Sequence, residues 1–174
     1  YSQKTYAGFT YTASKTKVNG SVQTAGTINA DGSTVVQLYY DRNTVTLSFN
    51  ANGGNVLPSV SGKYGAAVPP VSNPAKTGYT FSQWNPPLPS TFPPENQTYT
   101  AQWNAGTDTR YAVEHYQETL TGGYTQVESE AKTGTTGDNA AYSQKSYQGF
   151  TYTASKTKVN GSVQTAGAIK ADGS

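Results

Sequence analysis

The chain has 174 residues, a formal net charge of +2 and one histidine. Its 42 Thr and Ser residues outnumber its 25 Leu, Ile, Val and Phe residues, and it has 14 tyrosines but no cysteine. This composition favours β-strands and excludes a helical bundle, a coiled coil and a disulfide framework. No apolar run approaches the ~18 residues of a membrane-spanning helix, and charged residues, 13% of the chain, are too dilute for a nucleic-acid groove.

An internal repeat is the most informative feature. Residues 1–33 recur as residues 142–174. The copies differ only at Thr5/Ser146, Ala7/Gln148, Thr27/Ala168 and Asn29/Lys170. The offset of 141 residues indicates tandem duplication of a 141-residue unit, of which this chain holds one plus a 33-residue overlap. We expect the chain to be a fragment of a longer protein with several units.

Residues 1–43 end in a predicted strong strand from Ser33 to Arg42. Residues 44–104 begin with a half-buried strand, because Val45, Leu47 and Phe49 alternate with Thr and Ser. Further strands are predicted around Gly78–Trp84 and Thr98–Trp103, and the proline-rich segments between them exclude long helices.

Residues 106–174 follow a different pattern. Tyr111–Tyr116 predicts a strand, Gly122-Gly123 a hairpin turn, and Tyr124–Lys132 a second strand with Glu128 and Glu130 on its polar face. Asp138 or Asn139 resembles the cap of a short helix through about Tyr147, which Gly149 ends. Phe150 and Tyr152 predict another strand. The sequons at Asn19, Asn96 and Asn160 are interpreted as turns.

The two partial modules are incomplete in different ways. The module 106–174 lacks its last strand, and the fragment 1–43 lacks its first two. An incomplete sheet leaves an unpaired edge that favours pairing with a matching strand. We therefore expect residues 34–42 to complete the C-terminal module, in the same chain or in a neighbouring chain by head-to-tail association.

Two family resemblances follow from these patterns. Residues 44–104 resemble the Listeria–Bacteroides repeat of the internalin B-repeat type, through Val45–Gly54, Tyr64-Gly65, Pro74, Gly78–Trp84 and Tyr99–Trp103. Residues 106–174, and 1–43 as the tail of a previous copy, resemble the MucBP (mucin-binding) repeat, through Tyr111–Tyr116, Lys132–Gly137, Gly149–Tyr152 and Val36–Tyr40. The resemblances imply a strand-dominated α+β fold: β-grasp (ubiquitin-like) modules in tandem, with at most one short helix per module.

Candidate chemistry is sparse. His115 has no cysteine to activate and no serine-hydrolase motif nearby, so packing or a surface position is the favoured interpretation. Glu128 and Glu130 are about 7 Å apart along a strand, a spacing that could suit a glycosidase pair, but a solvated polar face is favoured. The aromatic residues Tyr79, Phe81, Trp84, Tyr99 and Trp103 suit a core better than a sugar-stacking platform. Autocatalytic crosslinks between Lys and Asn, or between Thr and Gln, are kept as an alternative hypothesis.

The sequence therefore predicts a non-enzymatic structural repeat of a bacterial cell-surface protein, a stalk or spacer that projects or presents an adhesin. Alternatives are a mucin- or glycan-binding module that works by avidity, and a fibre subunit assembled by strand complementation. No catalytic, cofactor or metal site is predicted, and ligand-binding residues stay undefined. Expected partners are neighbouring repeats, and host mucin, glycans or surface proteins; neither nucleic acid nor membrane insertion is expected.

Overall fold

The computed structural model describes residues 1–173 and is dominated by β-strands. The strands are β1 Phe9–Tyr11, β2 Lys17–Val18, β3 Ser21–Val22, β4 Val36–Gln37, β5 Tyr40–Arg42, β6 Thr44–Asn50, β7 Val60–Lys63, β8 Tyr79–Asn85, β9 Gln97–Ala105, β10 Thr109–Glu118, β11 Tyr124–Gly134, β12 Lys158–Val159 and β13 Ser162–Val163. The helical elements of residues 1–173 are two 3₁₀ turns, Ala13–Lys15 and Ala154–Lys156. The strand dominance predicted from composition is confirmed. None of these described residues forms a helix of the length and apolarity needed to cross a membrane.

The chain folds as two compact units. Unit 1 comprises Tyr1–Asn52, Val56–Ser72 and Trp84–Ala101. Unit 2 comprises Gly53–Asn55, Asn73–Gln83 and the chain from Gln102 onward. The division falls within β8 and β9, which each contribute residues to both units.

The largest sheet has four strands in the order β7-β6-β9-β8. β6 pairs antiparallel with β7, from Thr44↔Lys63 to Leu47↔Val60. It pairs parallel with β9, from Leu47↔Gln97 to Asn50↔Thr100. The first and last strands of the sheet in sequence therefore lie side by side and run in the same direction.

The core of unit 1 is built largely from alternating strand residues and aromatic rings. Its buried apolar residues are Val18, Val45, Leu47, Ala51, Trp84, Phe92, Tyr99 and Ala101. The predicted inward face of β6 is confirmed by the burial of Val45 and Leu47. The Phe49 ring lies 5.2 Å from that of Trp84 and 6.2 Å from that of Tyr99. Trp84 and Tyr99 are thus core residues, and Phe92 is a core residue that the sequence analysis missed.

Unit 2 is organised by a long hairpin. β10 and β11 pair antiparallel from Thr109↔Gly134 to Glu118↔Tyr124, with a bulge between His115 and Tyr116. The turn is closed by the Gly122 N–H, which donates to the Thr119 carbonyl at 3.0 Å. The predicted strands and the Gly122-Gly123 turn are therefore confirmed.

The predicted short helix from Asp138 or Asn139 to Tyr147 is wrong, because this segment contains no helix and its start pairs with a distant part of the chain. The Ile169 N–H donates to the Asp138 carbonyl at 2.8 Å, and the Ala140 N–H donates to the Gly167 carbonyl at 2.9 Å. These backbone groups are satisfied by pairing with a distant segment. The capping signal is also not followed by apolar residues at helical spacing.

Candidate functional site

The first sequence copy is completed by the segment that follows it, residues 34–42, which we call the donor segment. β5 pairs antiparallel with β1, from Phe9↔Arg42 to Tyr11↔Tyr40. β4 pairs antiparallel with β2, through Lys17↔Gln37 and Val18↔Val36. The predicted strand from Ser33 to Arg42 is therefore two short strands. The predicted completion of the C-terminal module by residues 34–42 of the same chain is wrong, because these strands pair with the N-terminal copy.

Side chains around Asp41 reinforce this pairing. The Asp41 carboxylate accepts hydrogen bonds from the Lys15 ammonium at 2.5 Å and from the Thr12 hydroxyl at 2.6 Å. The Lys15 contact, followed by the Thr12 contact, holds the pKa of Asp41 below its ordinary value. Asp41 thus ties the donor segment to the first 3₁₀ turn.

Tyr40 adds an aromatic contact to the same pairing. Its ring lies edge-on to Tyr6, with 4.9 Å between centroids, and 5.7 Å from the ring of Tyr11. Its hydroxyl accepts a hydrogen bond from the Lys4 N–H at 3.0 Å. Aromatic pairs of this kind contribute about 0.5–1.5 kcal/mol beyond the burial of their surface.

The second copy presents the same residues without a donor segment. Phe150, Thr151 and Tyr152 correspond to β1 but form no strand, and Phe150 and Tyr152 are 47% and 41% exposed. The strand predicted there is wrong because an isolated extended segment has no ladder to join. Within the described residues, the pairing partner of β12 is β13, whereas β2 pairs on both sides.

A tight turn is common to both copies. Asn19 and Gly20 have φ of 49° and 83°, and Asn160 and Gly161 have φ of 52° and 79°. Asn-Gly tolerates the positive φ that a two-residue hairpin turn requires, so the turns predicted at these positions are confirmed. The local hairpin therefore forms with or without the donor segment.

A cluster of charged residues lies on one face of the β10–β11 hairpin. His115 Nε2 lies 2.8 Å from Glu130 Oε1. Lys132 Nζ lies 3.3 Å from Glu130 Oε2, and Lys145 Nζ lies 3.1 Å from Glu130 Oε1. Lys145 also pairs with Glu128, whose other oxygen accepts a hydrogen bond from the Tyr147 hydroxyl at 2.9 Å.

The cluster lowers the pKa of both carboxyl groups. The hydrogen bond with His115, followed by that with Lys145, lowers the pKa of Glu130 from 4.5 to about 2. The Lys145 ammonium, followed by the Tyr147 hydroxyl, lowers the pKa of Glu128. A general acid requires a raised pKa, and neither carboxyl group has one.

The predicted shared polar face of Glu128 and Glu130 is confirmed. Both carboxylates on this face also pair with the Lys145 ammonium. His115 faces Glu128 across the hairpin because the bulge between His115 and Tyr116 shifts the register by one residue, so counting back from the Gly122-Gly123 turn would not have shown this pairing. Lys145 and Tyr147 come from outside the hairpin, and no sequence signal placed them there. No group of three or more His, Asp or Glu residues within 1–173 is arranged to hold a metal ion.

Two of the five predicted core aromatics are buried, and the other three form a separate half-buried group. The Phe81 and Trp103 rings meet edge-on with 5.8 Å between centroids. The Lys76 ammonium lies 4.3 Å from the Tyr79 ring centroid and 5.8 Å from that of Trp103. Phe81 and Trp103 are therefore only half-buried, and the predicted core position is confirmed for Trp84 and Tyr99.

The four-stranded sheet lies in the part of the chain that matches a known protein family. Residues 44–116 match the Listeria-Bacteroides repeat domain. This Listeria–Bacteroides repeat covers the sheet and most of β10, and so extends beyond the predicted end at residue 104. Such repeats occur in bacterial surface and extracellular proteins. No curated protein and no solved structure matches the chain, and the resemblance of residues 106–174 to mucin-binding repeats stays a prediction.

Proposed function

We propose that this chain is a non-enzymatic structural repeat of a bacterial surface protein, and that it acts as a stalk or spacer that projects or presents an adhesin. The observation that carries the proposal is the parallel pairing of β6 with β9 in the Listeria–Bacteroides repeat. A stalk module must resist extension between the points where the chain enters and leaves it. The β6–β9 pair joins the first and the last strand of the four-stranded sheet.

The direction of the load explains why this pairing suits a stalk. Tension applied to Thr44, at the start of β6, and Asn104, near the end of β9, pulls two parallel neighbours in opposite directions along their axes. The hydrogen bonds of the registered pairs Leu47↔Gln97 to Asn50↔Thr100 then bear the force together. An antiparallel pair pulled apart at its open end instead loses its bonds one after another.

We further propose that residues 44–105 form a β-grasp-type sheet. The order β7-β6-β9-β8 with a parallel central pair supports this assignment. The segment between β7 and β8 has no helix, and its proline residues, among them Pro69, Pro70 and Pro74, disfavour one.

Single-molecule stretching tests the stalk function directly. Because the chain contains no cysteine, attachment points can be introduced uniquely. The variant T44C/N104C loads the β6–β9 pair along the strands. The matched control T44C/K63C pulls apart the terminal pair Thr44↔Lys63 of the antiparallel β6–β7 ladder.

We expect T44C/N104C to unfold in one step at a force several times that of T44C/K63C. The physical reason is that several hydrogen bonds must break at once in the first geometry and singly in the second. Equal unfolding forces for the two attachment pairs would contradict a load-bearing role for this repeat.

A second candidate function is weak binding of mucin-type glycans, multiplied along an array of repeats. Its support is the distal end of the β10–β11 hairpin, where Leu120, Tyr116 and Tyr124 are exposed. Exposed tyrosines offer a ring face and a hydroxyl to sugars. We propose this role for the hairpin end, which we define by these three residues.

Interferometry with immobilised mucin and a panel of its glycans tests the second candidate. Saturable binding at up to ~1 mM, lost in Y116A/Y124A and retained in Y79A, supports the hairpin end as the binding surface. If the folded chain does not bind at this concentration, the glycan-binding role is rejected and the stalk role is the one that stands.

A further inference from the structure

Two pairs of tyrosines meet through their hydroxyl groups, one pair in each sequence copy. In the first copy the hydroxyl oxygens of Tyr1 and Tyr11 lie 3.4 Å apart. The equivalent tyrosines of the second copy are Tyr142 and Tyr152, and a side-chain hydrogen bond between them raises the pKa of Tyr142. The hydrogen bond with Tyr11 raises the pKa of Tyr1 in the same way. The phenol pair is therefore a feature of the repeated sequence.

We propose that Tyr1–Tyr11 and Tyr142–Tyr152 are sites of oxidative crosslinking, at which a haem peroxidase acting with hydrogen peroxide joins the two rings as dityrosine. The inference goes beyond the stalk function and does not depend on it. It assigns to each copy a covalent modification that fixes one segment of the chain to another.

The reaction balances with hydrogen peroxide as the oxidant. Each phenol gives up one electron and its hydroxyl proton and becomes a phenoxyl radical. The two radicals form a carbon–carbon bond between one Cε atom of each ring, beside the carbon that carries the hydroxyl group. The hydrogen on each bonded Cε atom then moves to the oxygen, which restores both phenols. The two electrons and two protons that were released reduce one hydrogen peroxide to two molecules of water.

The contact between hydroxyl groups suits this coupling. In dityrosine the new bond joins the carbons beside the two hydroxyl-bearing carbons, so the hydroxyl groups end next to each other. The Tyr1 and Tyr11 hydroxyls already have this arrangement. Tyr6 and Tyr40 instead meet edge-on, with 4.9 Å between ring centroids, and the Tyr40 hydroxyl accepts a hydrogen bond from the Lys4 N–H. Coupling is therefore expected at the first pair and not at the second.

Equivalent threonines hold one phenol of each pair in place. The Tyr11 hydroxyl oxygen lies 2.5 Å from that of Thr16, and the Tyr152 hydroxyl oxygen lies 2.6 Å from that of Thr157. Two reacting groups that are held in contact react as one molecule, at an effective concentration far above that of separate chains. Coupling within the chain should therefore exceed coupling between chains.

The two pairs form in different surroundings. Tyr11 lies in β1, which is paired with β5. Tyr142 follows Ala141, whose carbonyl accepts a hydrogen bond from the Tyr111 hydroxyl at 2.7 Å. The Tyr142 hydroxyl itself donates to the Thr165 carbonyl at 3.0 Å. The contact between the phenols thus follows from the shared sequence and does not require one set of neighbours.

The composition of the chain directs one-electron oxidation to tyrosine. The chain has no cysteine and no methionine, so no sulfur atom competes with the phenols for the oxidant. Tyr1 is 61% exposed and Tyr142 is half-buried, whereas Trp84 is only 5% exposed. An oxidant at the surface therefore reaches one phenol of each pair.

Each crosslink would close a loop, between positions 1 and 11 in the first copy and between positions 142 and 152 in the second. Tension along the chain would then pass through the bond between the rings, and the enclosed residues could not be extended. A covalent loop also restricts the unfolded chain, as a disulfide does.

Peptide mapping of the oxidised, intact chain tests the proposal. The folded chain is treated with a haem peroxidase and hydrogen peroxide, and in parallel with a small photochemical one-electron oxidant and persulfate, which does not depend on access by an enzyme. After denaturation, trypsin cleaves at Lys4 and Lys145, between the partners of each pair. A crosslink then appears as two joined peptides that have lost two hydrogen atoms. The copies are distinguished by mass, because Ala7 corresponds to Gln148.

We expect residues 1–4 to be joined to 5–15, and residues 133–145 to 146–156, in a chain that stays monomeric. Y11F and Y152F should each abolish the joined peptides of their own copy and leave those of the other copy, because phenylalanine forms no phenoxyl radical. Y6F is the matched control, since it removes a different hydroxyl from the same peptide, and it should retain both pairs.

Oxidation of the unfolded chain supplies the last control. In denaturant the crosslinks should be scattered over many tyrosines and between chains, because the phenols are no longer held in pairs. Absence of the joined peptides with both oxidants, unchanged joining in Y11F and Y152F, or the same pattern in the folded and the denatured chain would overturn the proposal.

Discussion

Ile28 and Ile169 occupy the same position of the two sequence copies, yet Ile28 is 80% exposed and Ile169 is 5% exposed. Ile169 packs against Gly134, where an added Cβ would lie 2.5 Å from its Cδ1 atom. Its N–H donates to the Asp138 carbonyl at 2.8 Å. The same sequence position is therefore exposed in the first copy and buried against the β10–β11 hairpin in the second.

Truncation of the two isoleucines should have unequal effects. I169A removes a buried side chain from unit 2 and should lower its free energy of unfolding by about 2–3 kcal/mol. I28A changes an exposed side chain and should have an effect within about 0.5 kcal/mol. Denaturant unfolding, followed by hydrogen exchange in each copy, measures both. Similar losses in both variants would mean that Ile28 is buried in solution.

Three of the four strands of residues 44–104 could be predicted because their pattern is local, whereas β7, Val60–Lys63, was not predicted. Alternation in β6 places Val45 and Leu47 inward without knowledge of any partner. Phe150–Tyr152 has the same residues as β1 but forms no strand, because strand formation there depends on the distant donor segment. The helix predicted from Asp138 failed for the same reason, since pairing with Gly167 and Ile169 outweighs a local capping signal.

Substitution of Gly62 in β7 by any residue with a side chain should destabilise the fold. A Cβ on Gly62 would lie 2.2 Å from Cε2 of the buried Phe92 ring. G62A should therefore destabilise unit 1 by about 1–3 kcal/mol, because the core must shift to admit a methyl group. G123A meets only the Thr119 hydroxyl, at 3.6 Å, and serves as the tolerated control. The comparison is made by thermal and denaturant unfolding, and unchanged stability of G62A would contradict the packing of Phe92.

The ring of Tyr40 should matter more than its hydroxyl for retention of the donor segment. Y40A removes the contacts with Tyr6 and Tyr11 and should destabilise the β1–β5 pair by about 1–3 kcal/mol. Y40F keeps the rings in contact and loses the hydrogen bond from Lys4, which costs about 0.5–1.5 kcal/mol. Hydrogen exchange of the Tyr11 and Thr12 amides reports the loss. Equal protection in Y40A and the unsubstituted chain would contradict this role.

Unit 2 should lose stability in acid through Glu130. The pKa of Glu130 is lowered from 4.5 to about 2 by His115, Lys145 and Lys132. A carboxyl group with a lowered folded-state pKa contributes stability that is complete above 4.5 and is lost as the pH falls towards 2. We therefore expect the free energy of unfolding of unit 2 to fall across this window. NMR titration should give a Glu130 pKa of about 2, and H115A should raise it more than K132A.

Removal of the Glu130 charge should weaken the pH dependence of the free energy of unfolding of unit 2. E130Q should reduce the loss of stability between pH 4.5 and 2 without abolishing it, because the lowered pKa of Glu128 acts with the same sign. E95Q changes the same charge at an exposed position of unit 1 and should leave the dependence of unit 2 intact. An E130Q profile that overlays that of the unsubstituted chain would contradict the cluster, because the acid sensitivity would then arise from carboxylates outside the hairpin face.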